Sequence, residues 1–217
     1  MNSLVEIGSP LSLIETENNE VVISSKSPDL PQSNDSRNKL FTKVLVNFSR
    51  LQEIYDLRLA VWENAGRNEF VNRALFPNGW YDELDKTAIH WITVNNQNKI
   101  VASARLNLFH SIEEFPYYSS IRHLAFPTDP FAFFSRLVVH PQYRLNGLSR
   151  QLYDGRTQFC RERKITWSQV FINNPYIIGL FEAEGFKNIG QAEVSYHVSS
   201  HPHSINVFIK ENKYRQL

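Results

Sequence analysis

A mixed α/β fold is predicted from three features of the sequence. The hydrophobic patterns run strand, helix, helix, then three strands, then helix, strand, helix and two last strands. One of those strands, "FAFFSRLVVH", is nearly all apolar apart from Ser135 and Arg136, as in a strand buried on both faces. A helical stretch separates it from "ITWSQVFIN", a connection that sets two such strands parallel.

Each element has its own local signal. Residues 1–38 are rich in Ser, Asn and acidic residues and hold no Phe, Tyr or Trp. They bury too little to offset their ordering entropy, so a mostly mobile tail is expected, with "EVVISS" able to add a short strand. The folded part, residues 39–217, opens with the strand "LFTKVLV". Ser49 and Gln52 form a capping-box pattern, and Leu51, Ile54, Leu57 and Val61 recur at helical spacing until Gly66. Residues 67–86 read as turn-rich helix and loop. "AIHWITVNN" and "IVASARLNLFH" read as a hairpin around "QNK", and residues 111–130 as a loop with three prolines. A helix from Leu148 to Lys164 precedes "ITWSQVFIN". "NPYIIGLFEAEGF" is a helix opened by Pro175 and stopped by Gly185. "IGQAEVSYHV" and "INVFIK" are the last strands.

Composition excludes several classes. The 217 residues carry 23 basic and 22 acidic side chains, so no global basic field marks a nucleic-acid binder. The one cysteine, Cys160, permits no internal disulfide, and no apolar run approaches a membrane span. The first twenty residues lack a basic and then apolar leader pattern, so a cytoplasmic location is expected.

Where "FAFFSRLVVH" ends come Pro141, Arg144 and Gly147, then a basic helix. A buried strand, a tight turn and a helix start suit an anion, because free N–H groups and the helix dipole point outward. Glycine lets the main chain turn and approach a ligand, and Arg144 and Arg150 could bond phosphate oxygens. Neither of the better-known phosphate loops, G-x-x-x-x-G-K-[ST] or G-x-G-x-x-G, is present, and a plain turn would look similar.

"SRLVVHPQYRLNGLSRQLYDG" resembles the acetyl-CoA motif of the GCN5-related N-acetyltransferases (GNAT), with Arg144, Leu145, Asn146, Gly147, Leu148 and Ser149 in its loop. "NNPYIIGLFEAEGF" is similar to that family's second motif, through Asn174, Gly185 and Phe186. The resemblance covers roughly residues 40–210. It implies the GNAT fold: a mixed, mostly antiparallel central sheet flanked by helices, with splayed parallel strands at the cofactor site. It also implies an N-acyltransferase that moves an acyl group, typically acetyl, from acyl-CoA to a primary amine by direct attack. Main-chain groups of Leu137, Val138 and Val139 would then meet the pantetheine arm. The Arg144–Ser149 loop would hold the pyrophosphate, and Asn174 and Phe181 would line the cofactor. Ser149 replaces the usual Gly or Ala, and Phe181 replaces a Tyr that in the family often protonates the leaving thiolate. The carboxylate often found before Leu137 is absent, since Phe133, Phe134 and Ser135 stand there. Glu69, His90, His110, Glu113 and Glu193 remain as base candidates.

"SRLVV" and "LRLAVW", with Arg58 and Trp62, are also similar to the autoinducer synthases and long-chain N-acyl amino acid synthases. That similarity implies the alternatives of a long-chain donor, an acyl carrier protein as partner, and an amino acid or homoserine lactone product. Arg136 paired with an internal acid is the plainer reading of the same residues. Loss of Tyr and carboxylate also leaves a non-catalytic acyl-CoA-binding module open. A homodimer is compatible with every reading, and no metal is expected: "HPH" at 201–203 offers too few ligands. Cys160, on an apolar helical position, reads as an inert thiol. Trp80, Tyr81, Phe115, Tyr117 and Tyr118 read either as walls of an acceptor pocket or as scattered surface rings.

Overall fold

The computed structural model describes residues 39–66, 71–194 and 202–213. The expected tail, "EVVISS", Glu69 and the "HPH" turn's first histidine lie outside the described residues. The strands are β1 (Phe41–Val44), β2 (Ile89–Val94), β3 (Ile100–Phe109), β4 (Phe131–Val139), β5 (Trp167–Ile172), β6 (Lys187–Val194) and β7 (His203–Glu211). The helices are α1 (Leu51–Asn64), α2 (Tyr118–Ile121), α3 (Leu148–Glu162) and α4 (Pro175–Ala183). Together the strands form one sheet in the order β1-β2-β3-β4-β5-β7-β6. Every neighbouring pair is antiparallel except β4 and β5, which are parallel across α3, as the sequence predicts.

Alternation along the strands feeds two cores. On one face, Ile54, Leu57 and Val61 of α1 pack on Ile92, Val94, Ile100 and Val138. On the other, Leu148, Leu152 and Tyr153 of α3 meet Trp91, Ala104, Leu106 and Phe134. The close fit of α3 depends on Gly155, where a Cβ would stand 2.9 Å from the Trp91 Nε1. An aromatic cluster of Phe109, Phe115, Phe131 and Phe133 fills the α1 face further along the sheet. Phe115 and Trp80 are therefore core rings, whereas Tyr81 and Tyr118 reach solvent.

Two local expectations fail: residues 111–130, read as a loop, hold a 3-10 turn at Ile112–Glu114 and the short helix α2, and the capping box at Ser49 does not form. Ser49 does not cap α1: a 3-10 turn, Phe48–Arg50, precedes the helix, and the Asn47 side chain accepts from the Ser49 N–H. Asn47, two residues earlier, is the N-cap of that turn, and its amide oxygen takes the orphan donor that a capping Ser would have served one turn later.

Candidate functional site

β4 and β5 pair only from Phe131↔Trp167 to Phe134↔Val170. Beyond that point they part. β4 changes register against β3 there, because Arg105 faces Ser135 while Ser103 faces Val138. Two residues, Arg136 and Leu137, thus oppose the single Ala104, which is a β-bulge. Arg136 has φ +53°, rare for a side-chain-bearing residue. The bulge lies where the strands separate, so main-chain groups of Leu137, Val138 and Val139 border the gap.

The strand then runs through a short 3-10 turn, Pro141–Tyr143, into the loop and α3. Arg144, Leu145, Asn146 and Gly147 are exposed, while Leu148 is buried and Ser149 half-buried. Leu145 and Gly147 both take left-handed conformations, φ +66° and +69°. Asn146 is spent on shape, since its Nδ2 donates to the Tyr143 and Arg144 carbonyls at 3.2 and 3.1 Å. Gly147 is the N-cap of α3 and supplies no side chain, so nothing from that position caps the first turn. A Cβ at Gly147 would meet nothing within 4 Å. Open space before uncapped N–H groups fits a phosphate. Arg150, in contrast, is committed to Asp154 and Glu184.

At the start of α4, the Asn174 carbonyl accepts from Ile177 and Ile178, making it the helix's first acceptor. Phe181 is 3 % exposed, with its ring centroid 5.5 Å from Tyr153 and 4.9 Å from Phe186. It packs as a core ring and carries no proton to give.

Among the described residues the base candidates do not converge. His110, Glu113 and Glu193 are exposed on separate elements. The Glu113 carboxyl is held low by its own backbone N–H and by Ser111. His90 is sealed on β2, 3.8 Å from the Asp85 carboxylate. Burial, with Arg58 nearby, pulls its pKa down to about 4, so the ring is neutral. Cys160 is fully buried, and burial pushes its pKa up to about 12, as an inert thiol requires.

What the sequence reading missed is an ionic network on the α1 face. Arg136 contacts Asp82, the internal acid that the plainer reading supposed. Arg105 contacts the same carboxylate, reaches Asp85 at 3.1 Å and donates from Nε to the Ser135 hydroxyl at 2.9 Å. Arg58 donates to both Asp85 oxygens at 2.9 and 3.1 Å. Asp82 and Asp85 sit in a capping box at the 3-10 turn Glu83–Thr87, which fixes both carboxylates. Burial pushes both carboxyls up, but the guanidiniums of Arg136 and Arg105 for Asp82, and of Arg58 and Arg105 for Asp85, hold them below the usual range.

Three guanidiniums thus face two carboxylates, with His90 neutral. One positive charge is left over among these described groups. Nε and Nη2 of Arg58 are buried without a partner. Of the three arginines, only Arg136 keeps appreciable exposure, at 11 % of its side chain. A cleft of about 370 Å³, lined by Leu75, Phe76, Gly79 and Tyr81, reaches Asp82 from outside. A signal for this network was present: Ser103, Arg105 and Asn107 alternate on one face of β3, which a solvent-facing hairpin strand also shows. Among the described residues no three His, Cys, Asp or Glu side chains gather as a metal set, and no helix is long and apolar enough to cross a membrane.

Comparison with known proteins follows the same lines. The family model described as acetyltransferase (GNAT) family matches residues 51–186. A search of curated proteins finds no significant match. Among solved structures, arylalkylamine N-acetyltransferase 2 from Aedes aegypti superposes with TM-score 0.60 at 11 % identity, covering 81 % of this chain and 100 % of that one. FeeM, an N-acyl amino acid synthase from uncultured soil microbes, gives 0.57 at 14 % identity, covering 81 % and 92 %. The ribosomal-protein-S18-alanine N-acetyltransferase from Escherichia coli gives 0.53 at 13 %, covering 82 % and 99 %. At these identities the likeness is one of fold.

Proposed function

The chain belongs to the acetyltransferase (GNAT) family, and from that premise we propose that it moves an acyl group from acyl-CoA to a primary amine by direct attack. The observation that carries this is the parting of β4 from β5 at the Arg136 bulge, one strand end away from the uncapped start of α3. The Arg144–Ser149 loop would hold the pyrophosphate of the donor. Main-chain groups of Leu137, Val138 and Val139 would hold its pantetheine arm, with Asn174 and Phe181 on the far side. An N–H of the bulge would polarise the thioester carbonyl, and this is where charge develops in the transition state. Holding amine and thioester together supplies much of the remaining acceleration.

Proton transfers are the lighter part of this chemistry. A thiol pKa near 8.5 makes the thiolate a fair leaving group without an acid. Phe181 is consistent with that. Among the described residues none of the base candidates stands at the bulge, and water would carry the proton out.

A second reading refines the acceptor. The surplus positive charge, with Arg136 at the bulge itself, favours an amine whose neighbouring carbon bears a carboxylate. An acid anchored there places its amine beside the thioester. The fold neighbour FeeM, an N-acyl amino acid synthase, supports the same class. Under this reading the donor is a longer acyl-CoA or an acyl carrier protein.

The test is calorimetric titration with a CoA series, acetyl through long-chain, on the native sequence and on Gly147→Val. The native protein is expected to bind, and affinity that rises with chain length selects the second reading. Gly147→Val is expected to lose at least about a hundredfold in affinity, because its side chain fills the phosphate space. The backbone strain costs only about 1–2 kcal/mol of stability. Unaltered CoA binding by this variant would remove the pyrophosphate from the loop.

A further inference from the structure

The core beneath α3 contains a cation without an acid. Arg156 is 1 % exposed, and no carboxylate contacts it among the described residues. Its Nε donates to the Leu152 carbonyl one turn back at 3.0 Å. Its Nη1 donates across to the Arg105 carbonyl of β3 at 3.3 Å. The guanidinium lies 4.6 Å from the centroid of the Phe134 ring, and Nη2 has no partner. Burial pulls its pKa down to about 9, and the titratable groups beside it, Cys160 and Tyr153, are themselves pushed up by burial and stay neutral.

Such a group is costly. Buried charges are often replaced by well-packed hydrophobic side chains at no loss, or with a gain, of stability. Its cross-element bond identifies what is gained in return. Arg105 sits at the edge of the register shift, opposite Ser135, immediately before the Arg136 bulge. Its carbonyl is held from the α3 face, while its side chain, on the other face, holds Ser135, Asp82 and Asp85. Arg156 is eight residues along α3 from Leu148, about 12 Å from the start of the helix. One helix therefore carries the proposed phosphate site at its first turn and a grip on the strand opposite the bulge two turns later.

We infer that Arg156 is a positioning residue for the acyl-transfer site: it clamps the β3 main chain opposite the bulge and so fixes the β4 N–H groups beside Arg136. The functional weight of the clamp rests on the acyl-transfer reading. The clamp itself does not.

The experiment compares the full-length protein with Arg156→Met, which keeps the packing on Phe134, and Arg156→Lys, which keeps the charge. Amide hydrogen exchange is followed at Arg136, Leu137 and Val138, with Val207 and Phe208 of β7 as internal controls. In the Met variant the bulge amides are expected to exchange at least about tenfold faster while the β7 amides and Tm hold or improve, since only local opening is promoted. The Lys variant should fall between. Unchanged exchange at the bulge overturns the inference. So does acceleration matched by the β7 amides and a falling Tm, which would mark a purely structural residue. Failure of the native protein to bind CoA would instead sink the acyl-transfer reading while leaving the clamp measurement intact.

Discussion

The guanidinium of Arg136 lies 3.8 Å from the centroid of the Trp80 ring and contacts the Asp82 carboxylate two residues further on. One cation is thus held by a π-face and an acid from the same segment. Its main chain forms the bulge where β4 leaves β5. This is a rigid presentation of positive charge at the centre of the proposed site, at a contact distance where such stacking contributes about 0.5–2 kcal/mol.

Replacing Arg136 by Leu should separate donor from acceptor. Asp82 retains Arg105, so the fold is kept. CoA affinity is expected within about threefold of native, while kcat/KM for an amino acid acceptor falls about a hundredfold, the size of one lost charge-assisted contact. The check is calorimetry for CoA beside steady-state rates with an amino acid and with its decarboxylated amine. If both acceptors lose equally, Arg136 serves the bulge and anchors no carboxylate.

Arg58 is a structural counterpart. Its side chain is fully buried against Asp85. Arg58→Met leaves that carboxylate with Arg105 as its remaining cation and removes a donor to the Trp80 carbonyl at 3.4 Å. Breaking a buried pair on one side costs about 3–5 kcal/mol. Urea unfolding should report a loss of that size. A loss below about 1 kcal/mol would show that Arg105 alone satisfies Asp85.

His90 gives the protein a pH signature. Its folded pKa is depressed to about 4, against an ordinary value near 6.5. Between those values the unfolded chain binds the proton and the native one does not. The contribution is therefore fully present above about pH 6.5 and is lost as pH falls towards 4. From pH 7 to pH 5 it amounts to about 2 kcal/mol. His90→Gln should lose about that much less stability over the interval, as read by urea midpoints at the two pH values. Parallel losses in the two proteins would mean that the ring titrates normally. Asp82 and Asp85 act further down, adding stability above the ordinary carboxylate pKa near 4 and withdrawing it as pH falls below that.

The legibility of this molecule is uneven for physical reasons. The β4–α3–β5 unit is local: a continuous apolar run, a glycine at a left-handed turn and a helical period all lie within about forty residues. Strand spacing even gives the parallel pairing. The ionic network has only a weak local sign, the alternation of Ser103, Arg105 and Asn107 on one face of β3. Arg58, Asp82, Asp85, Arg105 and Arg136 span most of the domain's first half, so even where an internal partner is expected, as for Arg136, no single stretch shows which acid it meets. The segment around Asp82 is rich in turn formers, which disguises the buried Asp85 and the half-buried Asp82. The bulge is equally hidden, because an extra residue in a strand changes register without changing composition.

The fit of Gly155 against Trp91 has a consequence for how this protein could change its donor. With no room for even a methyl group between α3 and β2, the helix can neither roll nor slide without unseating the core beneath it. Its first turn is therefore a fixed reference point. New donor preferences must arise in what surrounds that point: the exposed loop side chains from Arg144 to Asn146, and the half-buried face of α4. Laboratory evolution for a different acyl chain should accumulate its changes in those two places and leave the helix between Gly147 and Cys160 as it is.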